Sequence, residues 1–489
     1  MGTISRRIFL QVAGSFAFSQ SVWAKDRGVL VNDLHSQLNQ TQVGKILEVD
    51  SLARLKSAIE YASKQRRSVS ICGGRHAGGA QQFGTDMVLV DTTKLNRVLS
   101  FDQKNGLLQV ESGIRWTELL RHLEQTQINV VSPWGIRQKQ TGTDLLTIGG
   151  TLSANAHGQG LSYKPFIGDV EAFLLLDANG VMHNCSRNEN TELFRLAIGG
   201  YGLFGVIYSV TLRLVPRKKV ERIVEEMDID RVIPAMQKAV SLGYPYGDFQ
   251  FNMDERSDGY LKQGIFSSYK PAAVSAVLAA TDIHLRERVW LDFAYGVHVN
   301  KGDTFAKYVE YYKKTSGDVN WSDVWQASTY IENYHKIIDS RLHSPHAATE
   351  VLAEIYVPKE SLSKFIQDVR QDFLKYKVNL IYSTVQFIER DDESFLPWAK
   401  ESYACVIFNL HTVHTPEGIE SSVRAFRHLI DLAIKYSGSY YLTYHKFAQR
   451  EQILACYPQF LAFLQLKLKH DPDERFQSDW YRHHKKMFD

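Results

Sequence analysis

The sequence predicts an α+β protein: a two-lobed ligand-binding domain over residues 25–215, then a domain built on an antiparallel sheet with helices. Three observations predict it. Glycines cluster in three stretches, each beside strand-like runs: Gly73-Gly74-Arg75-His76-Ala77-Gly78-Gly79, Gly142 to Gly160, and Gly199 to Gly205. Strand and helix patterns alternate up to about residue 130. From about residue 216 the texture changes, and aromatic residues become dense through 244–270 and 321–335.

Taken in order, residues 46–66 read as an amphipathic helix. Asp50 or Ser51 can cap it, and Leu52, Leu55, Ile59 and Ala62 fall on one face. Ser68 to Ile71 and Met87 to Val90 read as strands flanking the first glycine loop. Glycine permits positive φ and close approach of a ligand, and bare N–H groups in such a loop suit the pyrophosphate of a dinucleotide. No helix is expected to open at this loop, so the nicotinamide-type fingerprint fails its context. Leu107–Val110, a helix over Thr117–Glu124 and a short strand at Val130–Val131 follow. Lys218-Lys219 ends a strand. Residues 216–445 form the second domain, whose clearest helix has Thr415 as cap, Pro416 in its first turn and Gly438 past its end. A helix over Gln452–Lys469 and the tail return to the first domain. Three glycine stretches imply a long, extended ligand touched along its length.

Composition bounds the function. The chain has 489 residues, 44% of them hydrophobic, enough for two cores. Its formal net charge of +3 falls to +1 without residues 1–24, so nothing points to nucleic acid or an anionic membrane. Cys72, Cys185, Cys405 and Cys456 are scattered, and their spacing gives no pairing. No His, Cys and carboxylate set has metal-site spacing, and no serine-hydrolase elbow is present. Ser5-Arg6-Arg7-Ile8-Phe9-Leu10, the apolar run Val12–Phe18 and Val22-Trp23-Ala24 read as a twin-arginine export signal. The apolar run is too short for a membrane span. The expected location is the periplasm, reached folded through the twin-arginine machinery.

The order of the glycine stretches resembles the flavin-binding half of the para-cresol methylhydroxylase / vanillyl-alcohol oxidase superfamily. So do Gly168-Asp169-Val170, Asp177-Ala178-Asn179-Gly180 and Glu192-Leu193-Phe194. The branch it most resembles contains the alditol, aldonolactone and decaprenylphosphoryl-ribose oxidases. The resemblance is strong over residues 45–215 and returns at Tyr457-Pro458 and Asp471 to Asp479. It implies a PCMH-type FAD-binding domain with a central antiparallel-sheet substrate (cap) domain. It also implies FAD contacts from Gly73, Gly74, Arg75, His76, Ala77, Gly78 and Gln81; from Thr147, Gly149, Gly150, Ser153, Asn155, His157 and Gly158; and from Gly205, Val206 and Ile207. His76 resembles the histidine that many members bond to the flavin 8α-methyl, although Arg75 departs from the small residue usual before it. No cysteine lies between residues 130 and 160, which disfavours a second bond. Gln159 stands where some ribose-oxidising relatives have lysine, which argues against their lipid-linked substrate.

In Tyr382 to Phe387 the period of two sends Thr384 and Gln386 to one face. In Val406 to His411, Asn409 and His411 share a face. Tyr440 to Phe447 reads as an aromatic strand bearing His445 and Lys446. Polar groups on one strand face suit a sugar pocket. By resemblance, Gln386 and Asn409 match substrate contacts, and Lys446 matches a lysine near the reacting carbon; His411 is the fourth catalytic candidate. Removing hydride from a carbinol leaves a proton on oxygen, which a nearby base or cation assists. The expected activity is FAD-dependent oxidation of a CH–OH group of a sugar, polyol or aldonolactone. The electron acceptor is oxygen, a quinone or a cytochrome. Two alternatives stay open: oxidation of an aromatic or other non-sugar alcohol, and a flavin electron-transfer module.

Overall fold

The computed structural model describes residues 28–280, 283–326, 328 and 330–489; the export signal expected over residues 1–24 lies outside the described residues. The first lobe holds a three-stranded parallel sheet in the order Lys45–Glu48, Val88–Asp91, Val69–Cys72. Its central strand is buried along its whole length, as a parallel strand covered on both faces must be. Helix Leu52–Lys64 packs Leu55, Ala58, Ile59 and Ala62 into the same core, and Ser51 Oγ accepts from Arg54 N at its start. The helix therefore begins later than residue 46. The cap at Ser51 sets its first turn, and Lys45–Glu48 pairs as a strand instead.

The second lobe is a five-stranded antiparallel sheet in the order Met182–Ser186, Val170–Leu176, Val206–Arg213, Leu107–Glu111, Val98–Asp102. Helix Trp116–Thr126 shares its core through Trp116, Leu119 and Leu123. No strand forms at Val130–Val131; both side chains are exposed in the loop after this helix.

The third sheet has eight strands, all antiparallel. Their order is Val319–Trp321, Lys219–Asp228, Gln263–Pro271, Tyr246–Phe251, Leu380–Ile388, Tyr403–Val413, Ala348–Pro358, Ser439–Tyr440. Lys219 thus opens a strand and does not end one. Helices Leu362–Tyr376 and Pro416–Lys435 cover one face, where Phe365 and Phe373 meet Phe408 edge-on. Thr415 Oγ1 accepts from Gly418 N to cap the latter helix. Past its end Ser437 takes the left-handed turn, at φ 59. Gly438 serves close approach: a Cβ there would lie 2.1 Å from Tyr356 O.

Two further expectations change. The helix over Gln452–Lys469 is two helices, Arg450–Cys456 and Phe460–His470, separated around Pro458, which cannot continue the hydrogen-bond ladder. The aromatic strand stops at Tyr440: Ser439 and Tyr440 pair with Tyr356 and Ile355, Tyr441 N donates to Glu354 O, and the chain then turns. Residues 441–447 turn and cross the first glycine loop. The tail completes the parallel lobe: Val69 bridges to Phe476, Gln477 N donates to Val69 O, and Thr85 Oγ1 donates to Asp479. Among the described residues no helix is long and apolar enough to cross a membrane.

Candidate active site

A cavity of 620 Å³ lies between the glycine-loop lobes and the open face of the eight-stranded sheet. His35, His76, Thr143, Leu146, His157 and Gln159 line it from the first half. Trp290, Phe293, Phe305, Tyr308, Tyr311 and Tyr312, from helices Ile283–Val299 and Lys301–Lys314, line it from above the sheet.

Strand register explains which side chains form the wall. Gln250, Thr384, Ile407 and Glu354 stand in one row across four strands. Tyr382, Asn409 and Leu352 form the row on one side, and Gln386, Cys405 and Tyr356 the row on the other. With a period of two, Val385, Phe387, Phe408 and Leu410 point into the helix-covered core. Gln386 Oε1, Asn409 Oδ1 and Gln250 Oε1 are buried with no hydrogen-bond partner in the protein. Buried amides seldom stay unpaired, so these suit a hydroxyl-rich ligand.

His411 and Lys446 stand elsewhere. His411 shares the face of Asn409 but stacks edge-on against His298, with ring centroids 4.6 Å apart, outside the cavity lining. Lys446 is not in the cavity wall. Because the chain turns after Tyr440, the ammonium comes under the influence of Asp479 and acts on His483 and His484 of the C-terminal helix. Burial lowers its pKa. Tyr444 enters the cavity instead, donating from its hydroxyl to Glu354 Oε2 at 3.0 Å.

Glu354 is the polar centre of the site. Its Oε1 accepts from His157 Nε2 at 2.5 Å, Tyr356 Oη at 2.5 Å and Cys405 Sγ at 3.3 Å. The other nitrogen of His157, Nδ1, faces Gly158 O at 3.1 Å. With acceptors at both ring nitrogens, His157 is an imidazolium. Burial opposes that charge, but Glu354 outweighs it and raises the histidine pKa. Burial likewise penalises the Glu354 carboxylate, yet His157 and the hydroxyl donors leave its pKa lowered. The pair therefore stabilises the fold between the two displaced values. That stability is lost as pH falls through the carboxylate's pKa or rises through the imidazolium's. His157, Glu354 and Cys405 bring three potential ligand atoms within 4.8 Å, a cluster that sequence spacing does not reveal. Each is hydrogen-bonded within the set, which accounts for the grouping without an ion. All four cysteines are buried and free.

The glycine loops pack close against backbone and side chains alike. A Cβ on Gly73 would lie 2.2 Å from Thr147 Oγ1, one on Gly74 2.8 Å from Leu145 O, and one on Gly79 2.3 Å from Tyr444 O. Arg75, at φ 59, reaches Asp91 at 2.8 Å. Ala77 O accepts from Gln82, and Gly78 lies beside His445. Gln81 donates to Leu442 O and Thr443 O, tying the loop to the crossing segment. Thr147 caps a short helix, Ile148–Ala154, which sequence reasoning missed because Gly149-Gly150 argues against it. Gly149 is there for space, since a Cβ would sit 2.7 Å from Ser112 Cβ; Gly150 N donates to Thr147. Ser153 O accepts from Tyr201 N. Asn155 spends its amide on Asp391 and Ile167 N. A Cβ on Gly158 would lie 2.6 Å from Lys139 O, and that lysine is itself buried against Asp144 at 2.6 Å. Gly205, at φ 147, turns the chain into Val206 and Ile207, both buried in the strand that follows.

His76 is buried at the cavity edge. Its Nδ1 meets His35 Nε2 at 3.1 Å, and its Nε2 has no partner. Burial, aided by His35, pulls its pKa down to about 2, so the ring is neutral. Tyr330 flanks both rings. Sequence reasoning missed His35, Tyr330, Glu350, Glu354 and Tyr444. A usable signal existed for the two glutamates, which sit four apart in the apolar strand Ala348–Pro358 and so share a face.

A family model described as an FAD-binding domain matches residues 44–186. L-gulonolactone oxidase of Mus musculus is 29% identical over 195 residues, 40% of this chain and 40% of that protein. L-gulono-1,4-lactone dehydrogenase of Mycobacterium tuberculosis is 22% identical over 443 residues, 89% of this chain and 95% of that one. A mitochondrial L-galactono-1,4-lactone dehydrogenase of Oryza sativa subsp. japonica is 30% identical over 195 residues, 38% of this chain and 32% of that one. The chain spans two-fifths or less of the length of the mammalian gulonolactone oxidases it matches. The buried, unpartnered His76 Nε2 and Ser112 Oγ, together with the close-packed glycine loops, fit a flavin dinucleotide.

Burial pushes Glu350, on the cavity wall beside Tyr334, up to about 7. Because the folded state holds this proton more tightly than the unfolded chain, stability falls as pH rises from about 4.5 to 7. Glu350→Gln should flatten that fall and stabilise the protein at pH 8 by up to about 3 kcal/mol. Urea unfolding at pH 5 and pH 8 checks it; equal differences at the two pH values would contradict it.

Proposed function

The chain carries an FAD-binding domain of the para-cresol methylhydroxylase type over residues 44–186, and on that premise we propose that it oxidises a CH–OH group of a sugar, polyol or aldonolactone. The observation that carries this reading is the set of unpartnered amide oxygens of Gln386, Asn409 and Gln250, one from each of three adjacent rows, in the same cavity as His76 and His157. The names of the relatives, lactone oxidases and dehydrogenases, support it. Bound FAD supplies the acceptor for a hydride from the carbinol carbon. Gln386 and Asn409 orient the hydroxyls. Glu354, reached through Tyr444, is the group positioned to take the hydroxyl proton. His157 balances the charge of that carboxylate. This replaces Lys446, which is not part of the cavity wall.

The flavin of the purified protein, followed anaerobically, should bleach with L-gulono-1,4-lactone, L-galactono-1,4-lactone or a polyol. Glu354→Gln should slow that bleaching by about 10²-fold or more when the rate is counted per FAD-loaded molecule. Bleaching by aryl alcohols alone would favour the aromatic-alcohol reading, which the aromatic residues of the two upper helices support. No bleaching by any alcohol would leave an electron-transfer module.

We also infer that His76 Nε2, free of protein partners, bonds the flavin. Acid precipitation should leave yellow colour in the pellet, and His76→Ala should release it; free flavin from the parent protein would exclude the bond.

The paired Arg6-Arg7 before an apolar run supports export by the twin-arginine route to the periplasm. Arg6→Lys with Arg7→Lys should retain the protein in the cytoplasm with its flavin spectrum unchanged. Continued appearance outside the cytoplasm would refute that route.

A further inference from the structure

Arg222 stands at the far end of the cavity from Glu354. It lies on strand Lys219–Asp228, three strands away from Gln386 on Leu380–Ile388. At the usual spacing between strands this is about 14 Å. The side chain is buried, with 6% of its surface exposed. Its guanidinium lies over the ring of Tyr312 at 4.2 Å, with Trp325 at 5.2 Å and Tyr269 at 5.8 Å. Nη2 donates to Ser267 Oγ at 3.0 Å, and Nε is buried without a partner. Among the described residues no carboxylate lies within ion-pair distance. Asp248, two strands away, is engaged by Gln250 Nε2 at 2.6 Å. Rings cover the faces of the guanidinium and Ser267 takes one Nη2 proton, but the Nε–H on the same edge is left unmatched. A desolvated fork of this kind pairs with a carboxylate or phosphate far better than with a neutral group.

We propose that the cavity takes an elongated substrate. Its oxidisable hydroxyl lies at Gln386 and Asn409, and an anionic group, carboxylate or phosphate ester, binds at Arg222, three to four strand spacings or about 14 to 19 Å across the sheet. The aromatic side chains of Phe293, Tyr308 and Tyr311 line the cavity and suit an apolar spacer between the two ends. This rests on the reading of the cavity as a substrate site and adds the chemistry of the substrate's distal end. A small neutral lactone would leave Arg222 without its anion.

The test is calorimetric titration of the oxidised, FAD-loaded protein with three probes of matched length: 4-phenylbutyrate, 2-phenylethyl phosphate and neutral 4-phenylbutanamide. At least one anion should bind about 10-fold or more tightly than the amide, and the tighter anion identifies the source of the charge. Arg222→Met should bring the anions to within roughly 2-fold of the amide, with amide binding unchanged. Arg222→Lys keeps the charge but loses the fork, so its anion affinity should fall several-fold while amide binding holds. Equal binding of anions and amide by the parent protein would overturn the proposal. So would anion preference that survives Arg222→Met, or undiminished anion affinity in Arg222→Lys. The titration reads binding alone. Its failure leaves lactone oxidation standing, and absence of bleaching by lactones leaves the anion preference standing.

Discussion

The carboxylate of Glu354 is the constraint on which the site depends. It lies on the strand next to one edge of the eight-stranded sheet, yet its strongest partner, His157, belongs to the second glycine stretch. One buried anion thus fastens the two halves of the molecule. Tyr356, Cys405 and Tyr444 supply its other hydrogen bonds, and each comes from the sheet or from the segment after it. Nearby, Tyr441 donates to Ala154 O and Trp398 to Asn155 O. The backbone just before His157 is therefore held by side chains of the second half. Removing one partner of such a buried pair is costly, because the other charge is left without compensation.

The sheet acts as a two-sided platform. One face is apolar and packs under helices, which fixes the strands. The other face carries amides, carboxylates and the edge of Tyr382. Rigid strands hold such groups more closely than loops do. The first domain supplies the complementary wall with three histidines, of which His35 and His76 are neutral and His157 is charged. Burial alone would make all three neutral, and only His157 has a carboxylate hydrogen-bonded to its ring to resist it.

Much of this was legible in the sequence where local chemistry decides. Ser51 and Thr415 cap their helices because their hydroxyls reach backbone N–H groups within one turn. Thr384, Gln386 and Asn409 face the cavity because strand parity is strict. Legibility failed where distant partners decide. Tyr440 to Phe447 has the composition of a strand, but only Ser439 and Tyr440 pair with the neighbouring strand before the chain turns to cross the glycine loop. Lys446 then inherits a turn and not a strand face. Gly149-Gly150 argues against a helix, yet Ser112 leaves no room for a side chain and Thr147 caps the turn. Glu354 lies 197 residues from His157, so no local pattern could pair them.

The bridge between Val69 and Phe476 carries a consequence for synthesis. The parallel lobe holds the first glycine loop, but its core includes Phe476, near the end of the chain. During translation every other strand of that lobe emerges long before its last core residue. The lobe must wait, incomplete, until the sheet domain has been made, and closing so long a loop is slow. Stable retention of a dinucleotide is therefore a property of the finished chain. A ribosome that stops short of Phe476 leaves a nascent protein whose binding lobe cannot close.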